Sequence, residues 1–203
     1  MTVFHLLRHG EHLLRERGVL AGRTAGVGLS PHGRAEIAAV AERLADEKIT
    51  ALYSSPLQRT RDSAEILSAR LGVPIEYRDD LIELDFGEWT GLTFDAVRKD
   101  ERWHVWSTCR SIASVPGGES MRDLQERVVR ALFQLRQAHR EATALIVSHG
   151  DVIRAALLFA LGMPLDFYWR IEIGLASLST IDINDSGIRV LAVNERPRLA
   201  SPA

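Results

Sequence analysis

Short apolar runs separated by longer amphipathic stretches set the pattern of this chain. Residues 2–7, 51–54, 75–77 and 143–147 are brief, mostly apolar segments that predict strands, 75–77 being the weakest signal. Between them the apolar positions recur at helical spacing. Ile37, Val40, Ala41, Leu44 and Ala45 form one stripe behind Ser30-Pro31, a capping residue followed by a proline at the first helical position. Ser55-Pro56 repeats that signal and predicts a second helix, with Leu57, Ala64, Leu67 and Leu71 on one face, Gly72 at its end and Pro74 just beyond. A long helix is predicted from Ser120, its stripe carrying Met121, Leu124, Val128, Ala131 or Leu132, and Leu135. Residues 151–161 are almost wholly apolar and predict a buried helix closed by Gly162 and Pro164. Residues 178–183 and 188–193 predict a hairpin that turns at Asn184-Asp185-Ser186-Gly187.

Strands that alternate with helices predict an α/β fold with a largely parallel sheet and helices on both faces. Two stretches break the rhythm. Residues 11–28 are rich in Gly and Arg and read as a loop, and residues 79–118 read as a cap-like insertion over the sheet edge, with helical character at 92–107 around Trp103 and Trp106. The length of 203 residues fits one domain, 1–203, and a chain of this size buries roughly 70% of its unfolded surface without staples.

Composition narrows the function classes. The formal net charge of −2 gives no electrostatic case for nucleic acid or membrane partners. The longest strongly apolar stretch, 155–161, is too short to span a bilayer, and no leader pattern is seen. Cys109 is the single cysteine, so no intrachain disulfide forms and a reducing, cytoplasmic location is expected.

The candidate chemistry lies in two segments that end alike. Residues 3–7 run into Arg8-His9-Gly10-Glu11, and residues 144–147 run into Ser148-His149-Gly150-Asp151. Two imidazoles thus stand at the ends of two strands, where ligands gather in open α/β sheets. A histidine of ordinary pKa is largely neutral at pH 7 and can act as a nucleophile. Arg8 supplies positive charge to an incoming phosphoryl group, and Gly10 is expected to leave room for the ligand. Arg59 falls in the first turn of the helix after Ser55-Pro56, where free backbone N–H groups favour an anion. His149 is expected to donate to the same anion. Glu83, in the irregular region, is the candidate acid for the leaving oxygen; phosphate would raise its pKa and the arginines would lower it. His5, His9 and His12 do not make a metal site, because His5 and His9 on a strand stand about 13 Å apart; no metal and no cofactor are expected. His32, His104 and His139 are expected to face solvent, Trp103 and Trp106 chiefly to pack the insertion, and Cys109 to be inert.

These residues resemble the histidine phosphatase superfamily, in the branch that includes the cofactor-dependent phosphoglycerate mutases. The matching stretches are Leu7-Arg8-His9-Gly10-Glu11, Ser54-Ser55-Pro56-Leu57-Gln58-Arg59-Thr60, Glu83 with Phe86-Gly87-Glu88-Trp89-Thr90-Gly91, Pro116-Gly117-Gly118-Glu119-Ser120, and Val147-Ser148-His149-Gly150. The resemblance implies a three-layer α/β/α sandwich. It implies that His9 is phosphorylated and then hydrolysed, that Arg8, Arg59, His149 and Gly150 bind the phosphoryl group, and that Glu83 first donates a proton and then activates water.

The chain departs from the family pattern between His12 and Ser30. His12 and Arg15 stand where the family often has Thr and Asn, and the segment 22–30 is one residue longer than the family's usual run and lacks its Asp and Pro. Arg15, Arg17, Arg23 and Thr24 therefore either contact a second acidic group of the substrate or are ordinary loop positions. The expected activity is a phosphomonoester hydrolase for a small phosphorylated metabolite. A mutase primed by a phosphorylated cofactor is the rival within enzymes, and the short insertion speaks against it. A non-catalytic phosphate-binding regulatory module is the third reading, and a homodimer joined edge to edge or through helices is an open expectation.

Overall fold

The computed structural model describes residues 1–196. Six strands form one sheet: β1 (Thr2–Arg8), β2 (Ile49–Ser54), β3 (Ile75–Tyr77), β4 (Thr143–Ser148), β5 (Leu178–Asn184) and β6 (Gly187–Glu195). Their order is β3-β2-β4-β1-β5-β6, so the two strands that end in His-Gly are neighbours. β3, β2, β4 and β1 pair in parallel, and the predicted hairpin β5–β6 adds two antiparallel strands beyond β1.

Alternation along the central strands divides the core. Phe4 and Leu6 of β1, with Ala144 and Ile146 of β4, face one layer, built on α5 (Met121–Ala138) and α6 (Gly150–Ala160). Leu7 of β1, with Leu145 and Val147 of β4, faces the other, where Ile37, Val40 and Leu44 from the region of α1 (Pro31–Arg43) meet Ala64 and Leu67 of α2 (Gln58–Leu71). Because side chains alternate with period two, one apolar run feeds two cores. The architecture is the expected three-layer α/β/α sandwich.

Most caps follow the chain's own signals. Ser30 accepts a hydrogen bond from Gly33 N at 3.0 Å, with Pro31 in the first turn. Ser120 caps α5 through Asp123 N at 3.1 Å. The second serine-proline pair departs from expectation. α2 begins two residues later, at Gln58, with Leu57 at its cap position and no side-chain cap. The Ser55 hydroxyl is engaged elsewhere, by His149. Gly10 also has a different use from the one expected. A Cβ there would stand 2.5 Å from the Gly33 carbonyl oxygen, so its bareness lets α1 close on the end of β1 rather than admitting a ligand.

Between β3 and α5 the chain forms two 3-10 turns (Asp79–Leu81 and Gly87–Trp89) and two short helices, α3 (Phe94–Val97) and α4 (Glu101–Thr108). Trp89, Trp103 and Trp106 knit this segment together, with ring centroids 5.0–5.6 Å apart. Among the described residues no helix is long and apolar enough to cross a membrane.

Candidate active site

Register explains why the two histidines meet. Arg8 of β1 pairs with Ser148 of β4, and His9 N donates to Ser148 O at 3.0 Å. The next residue on each strand is therefore a histidine at the carboxyl edge, and the two rings lie edge to face with centroids 5.3 Å apart. β2 ends beside them, since Ser55 N donates to Val147 O at 3.0 Å.

The hydrogen bonds fix both tautomers. His9 Nδ1 lies 2.7 Å from Gly10 O, a carbonyl that can only accept, so Nδ1 carries the proton. Arg59 Nε, which can only donate, lies 3.2 Å from His9 Nε2, so that nitrogen presents its lone pair. In the same way Arg59 Nη2 donates to His149 Nδ1 at 3.2 Å, and the protonated Nε2 of His149 meets Ser55 Oγ at 2.7 Å. Burial, then the neighbouring Arg59, holds the pKa of each imidazole well below its ordinary value. Both rings are neutral near pH 7. In the free protein His9 presents a lone pair and His149 stands as a neutral acceptor on Arg59.

Two arginines converge on His9. Arg59 is 1% exposed, and besides its contacts with the histidines it gives Nη2 to Gly22 O at 2.8 Å, while Nη1 is buried with no partner. Arg8 donates Nη1 to Ile173 O at 2.6 Å and leaves Nε buried and unpartnered. Gly150 lies directly against that guanidinium. A Cβ there would meet Arg8 Cζ at 3.2 Å, so the glycine after His149 makes space for Arg8. An unsatisfied buried N–H is costly, and an anion is the partner that suits two such donors at once.

Glu83 reaches the same place from the irregular segment. Ser148 Oγ ties that segment to β4 through Leu81 O at 2.8 Å, and the Glu83 carbonyl accepts from Arg23 Nε at 2.8 Å and Arg127 Nη2 at 3.2 Å. Its carboxylate lies 3.8 Å from His149 Nδ1. Burial, then the like charge of Asp151, raises the Glu83 pKa to about 7, against the opposing pull of Arg59, the Leu84 N–H and Arg8. The balance left open between phosphate-like and arginine-like influences is thus set mainly by desolvation.

All of this opens on one cavity of about 500 Å³. Arg8, His9, Arg59 and Glu83 form one end; His149 is fully buried behind them. Of the loop positions, Arg15 lines the cavity together with Val19, Leu20, Ala21 and Gly22. Arg23 and Thr24 are absent from its wall, and Arg17 is exposed. Arg23 is occupied by Glu83 O, Asp85 and Glu119, so it braces the Glu83 segment instead of meeting substrate. Trp103 and Trp106 pack the insertion and also line the cavity, joined by Phe94, Tyr168 and Trp169. His139 is not simply solvent-facing, because its Nε2 bonds the Tyr53 hydroxyl.

Three further polar cavity residues, His12, Asp151 and Arg110, are not among the candidate site residues read from the sequence. His12 stacks 5.6 Å from His9, its pKa lowered to about 4 by burial and by Arg59. Asp151 accepts from the Tyr168 hydroxyl. Arg110 is 2% exposed and sits with its Cζ 3.7 Å from the Trp106 ring and 3.5 Å from the Tyr168 ring. One signal for this group is present in the sequence: Trp103 and Trp106 stand at helical spacing, and Arg110 follows just beyond the end of that helix.

Comparison with known proteins agrees with this geometry. A family model described as histidine phosphatase superfamily (branch 1) matches residues 4–196. The bifunctional protein Rv2228c of Mycobacterium tuberculosis is 38% identical over 185 residues, 90% of this chain and 50% of that protein, so the chain spans about half the length of the first curated relatives it matches. Phosphoserine phosphatase 1 of Hydrogenobacter thermophilus is 29% identical over 196 residues, covering 96% of this chain and 92% of the relative. Among solved structures, Bacillus stearothermophilus YhfR superposes with a TM-score of 0.89 at 26% identity, covering 95% of this chain and 96% of its own. With a family match across nearly its whole length and the arginine-histidine cluster at the ends of β1 and β4, the chain belongs to branch 1 of the histidine phosphatase superfamily.

Proposed function

We propose that the chain is a phosphomonoester hydrolase that acts on a small phosphorylated metabolite through a phosphohistidine at His9. The observation that carries this reading is the fixed tautomer of His9: Nδ1 is tied to Gly10 O, Nε2 keeps a lone pair, and Arg8 and Arg59 each hold an unpartnered N–H beside it. Both arginines take the phosphoryl oxygens, and their charge lets the lone pair approach phosphorus. The Nε2–P bond forms as the P–O bond to the leaving group breaks. Glu83, held near neutrality by its burial, gives its proton to the departing oxygen. Water then attacks phosphorus, Glu83 takes the water proton, and phosphate leaves with His9 restored. His149 keeps Arg59 in place in the free enzyme. A bound dianion offsets the arginine charge that holds His149 neutral, which favours its taking up a proton and then donating.

Water as acceptor, rather than a second substrate hydroxyl, is supported by the short insertion. The relative named phosphoserine phosphatase supports hydrolysis of a small phosphomonoester. The test is phosphate release from p-nitrophenyl phosphate by wild type and His9→Ala. Wild type should be faster by at least ~10⁴-fold; equal slow rates favour the non-catalytic module. Incubation with 3-phosphoglycerate, with and without 2,3-bisphosphoglycerate, separates the rival enzyme reading: isomerisation faster than phosphate release overturns the hydrolase.

A further inference from the structure

The cavity also holds donors that nothing in the hydrolysis uses. Arg110 comes from the turn after α4, and among the described residues it makes no hydrogen bond: Nε and Nη1 are buried without partners, and Nη2 is neither buried nor bonded. Its single ionic neighbour, Asp151, lies 4.0 Å away and is already engaged by the Tyr168 hydroxyl. Trp106, stacked on the same guanidinium, is 1% exposed, and its Nε1–H is also unpartnered. Two adjacent side chains, both almost fully buried, thus hold three donor nitrogens without a partner. Stacking between two rings fixes the guanidinium plane, but it does not supply an acceptor.

Charge points the same way. Five guanidiniums line the cavity, those of Arg8, Arg15, Arg59, Arg98 and Arg110, against Asp151 and a Glu83 that is protonated when it acts as acid. A phosphoryl dianion therefore leaves positive charge in excess. Arg110 is the cation among them that keeps buried N–H groups free and has no use in the hydrolysis.

We infer that Arg110 and the Trp106 N–H form a subsite for a carboxylate borne by the substrate. The substrate class is then a phosphomonoester whose leaving group carries a carboxylate on an apolar or ring-bearing body, since Phe94, Trp103, Tyr168 and Trp169 line the same cavity. The second acidic group, weighed in the sequence for Arg15, Arg17 and Arg23, is assigned instead to Arg110 and Trp106. This deepens the hydrolase reading and rests on its placement of phosphate at His9.

The test uses non-hydrolysable ligands, so that it does not depend on turnover. Phenylphosphonate, 4-carboxyphenylphosphonate and 1,4-phenylenediphosphonate are titrated by calorimetry into wild type and Arg110→Met. Wild type should bind the carboxylated ligand about 10- to 100-fold more tightly than phenylphosphonate, the range expected of a charge-assisted pair, and Arg110→Met should bring that ratio close to one. Thermal melting of the variant establishes that it is folded, and Arg110→Lys should recover part of the ratio. Three results overturn the inference: no preference in wild type, a ratio kept in Arg110→Met while both affinities drop together, which is the mark of a purely structural arginine, or a stronger preference for the second phosphonate than for the carboxylate. Failure of the hydrolase reading looks different, because phenylphosphonate itself would then bind His9→Ala and Arg59→Met as tightly as wild type.

Discussion

The two ends of the cavity are built in opposite ways. The phosphate end rests on the tips of adjacent parallel strands, where Arg8 and Ser148 are paired by register and His9 and His149 follow one residue on. Its side chains are locked by bonds to main chain: Gly10 O for His9, Ile173 O for Arg8, Gly22 O for Arg59. The cap end is assembled from two distant turns, with Arg110 laid between Trp106 and Tyr168 and held by stacking. Rigid main-chain anchoring suits a group that never changes, the phosphoryl, and a wall of aromatic faces suits a leaving group that differs between relatives.

If that division holds, variants at the phosphate end should act on all substrates alike, and variants at the cap end should act on ratios between substrates. Arg59→Met tests the first half most severely. It removes the donor that faces both histidines, and kcat/KM should fall about 10²- to 10³-fold on every phosphomonoester assayed. A loss confined to one class of substrate would break the comparison.

Glu83→Gln should cost about 10²-fold or more and change the pH profile. Because the protonated carboxyl is the donor and its pKa is raised to about 7, wild-type kcat/KM should decline as pH rises through about 7. His9, held neutral by burial and by Arg59, remains a nucleophile well below pH 6.5, so the acid side should stay active. The optimum thus lies on the acid side of neutrality. In the glutamine variant the alkaline decline should vanish from a steady-state pH series; its persistence would assign that titration to another group.

Trp169→Ala is the mildest probe. Trp169 lines the cavity and is 64% exposed, with its Nε1 donating to Ser107 O at 3.1 Å. The ratio of kcat/KM for phenyl phosphate over glycerol 3-phosphate should drop about two- to tenfold. An unchanged ratio would remove Trp169 from the leaving-group path and sharpen the assignment to Trp103 and Trp106.

The same contrast explains what could be read from the chain. The strand tips are local: Arg8-His9-Gly10 and Ser148-His149-Gly150 each carry their own apolar run, and parallel pairing does the rest. Ser55 was legible only as a helix cap, because nothing local says that its hydroxyl will meet a histidine 94 residues away. Arg23 looked like a substrate arginine for the same reason, and tertiary contacts with Glu83, Asp85 and Glu119 gave it a bracing part. The charge state of His149 could not be read because burial cannot be seen in sequence, and burial is the largest influence on it. Arg110 depends on Tyr168 from a separate turn, so its stacking could not be anticipated, although it follows closely on the helix that carries Trp103 and Trp106.

The central claim is that the neutral Nε2 of His9 takes the phosphoryl group. Rapid mixing of wild type with p-nitrophenyl phosphate, quenched in alkali and digested for mass spectrometry, should show a base-stable, acid-labile phosphate on the peptide containing His9. The account predicts that label at His9, none in His9→Ala, and more of it in Glu83→Gln with this activated ester, whose leaving group needs no acid while hydrolysis of the intermediate still does. Steady turnover in wild type with no phosphohistidine trapped, or a label on His12 or His149 instead, would contradict it.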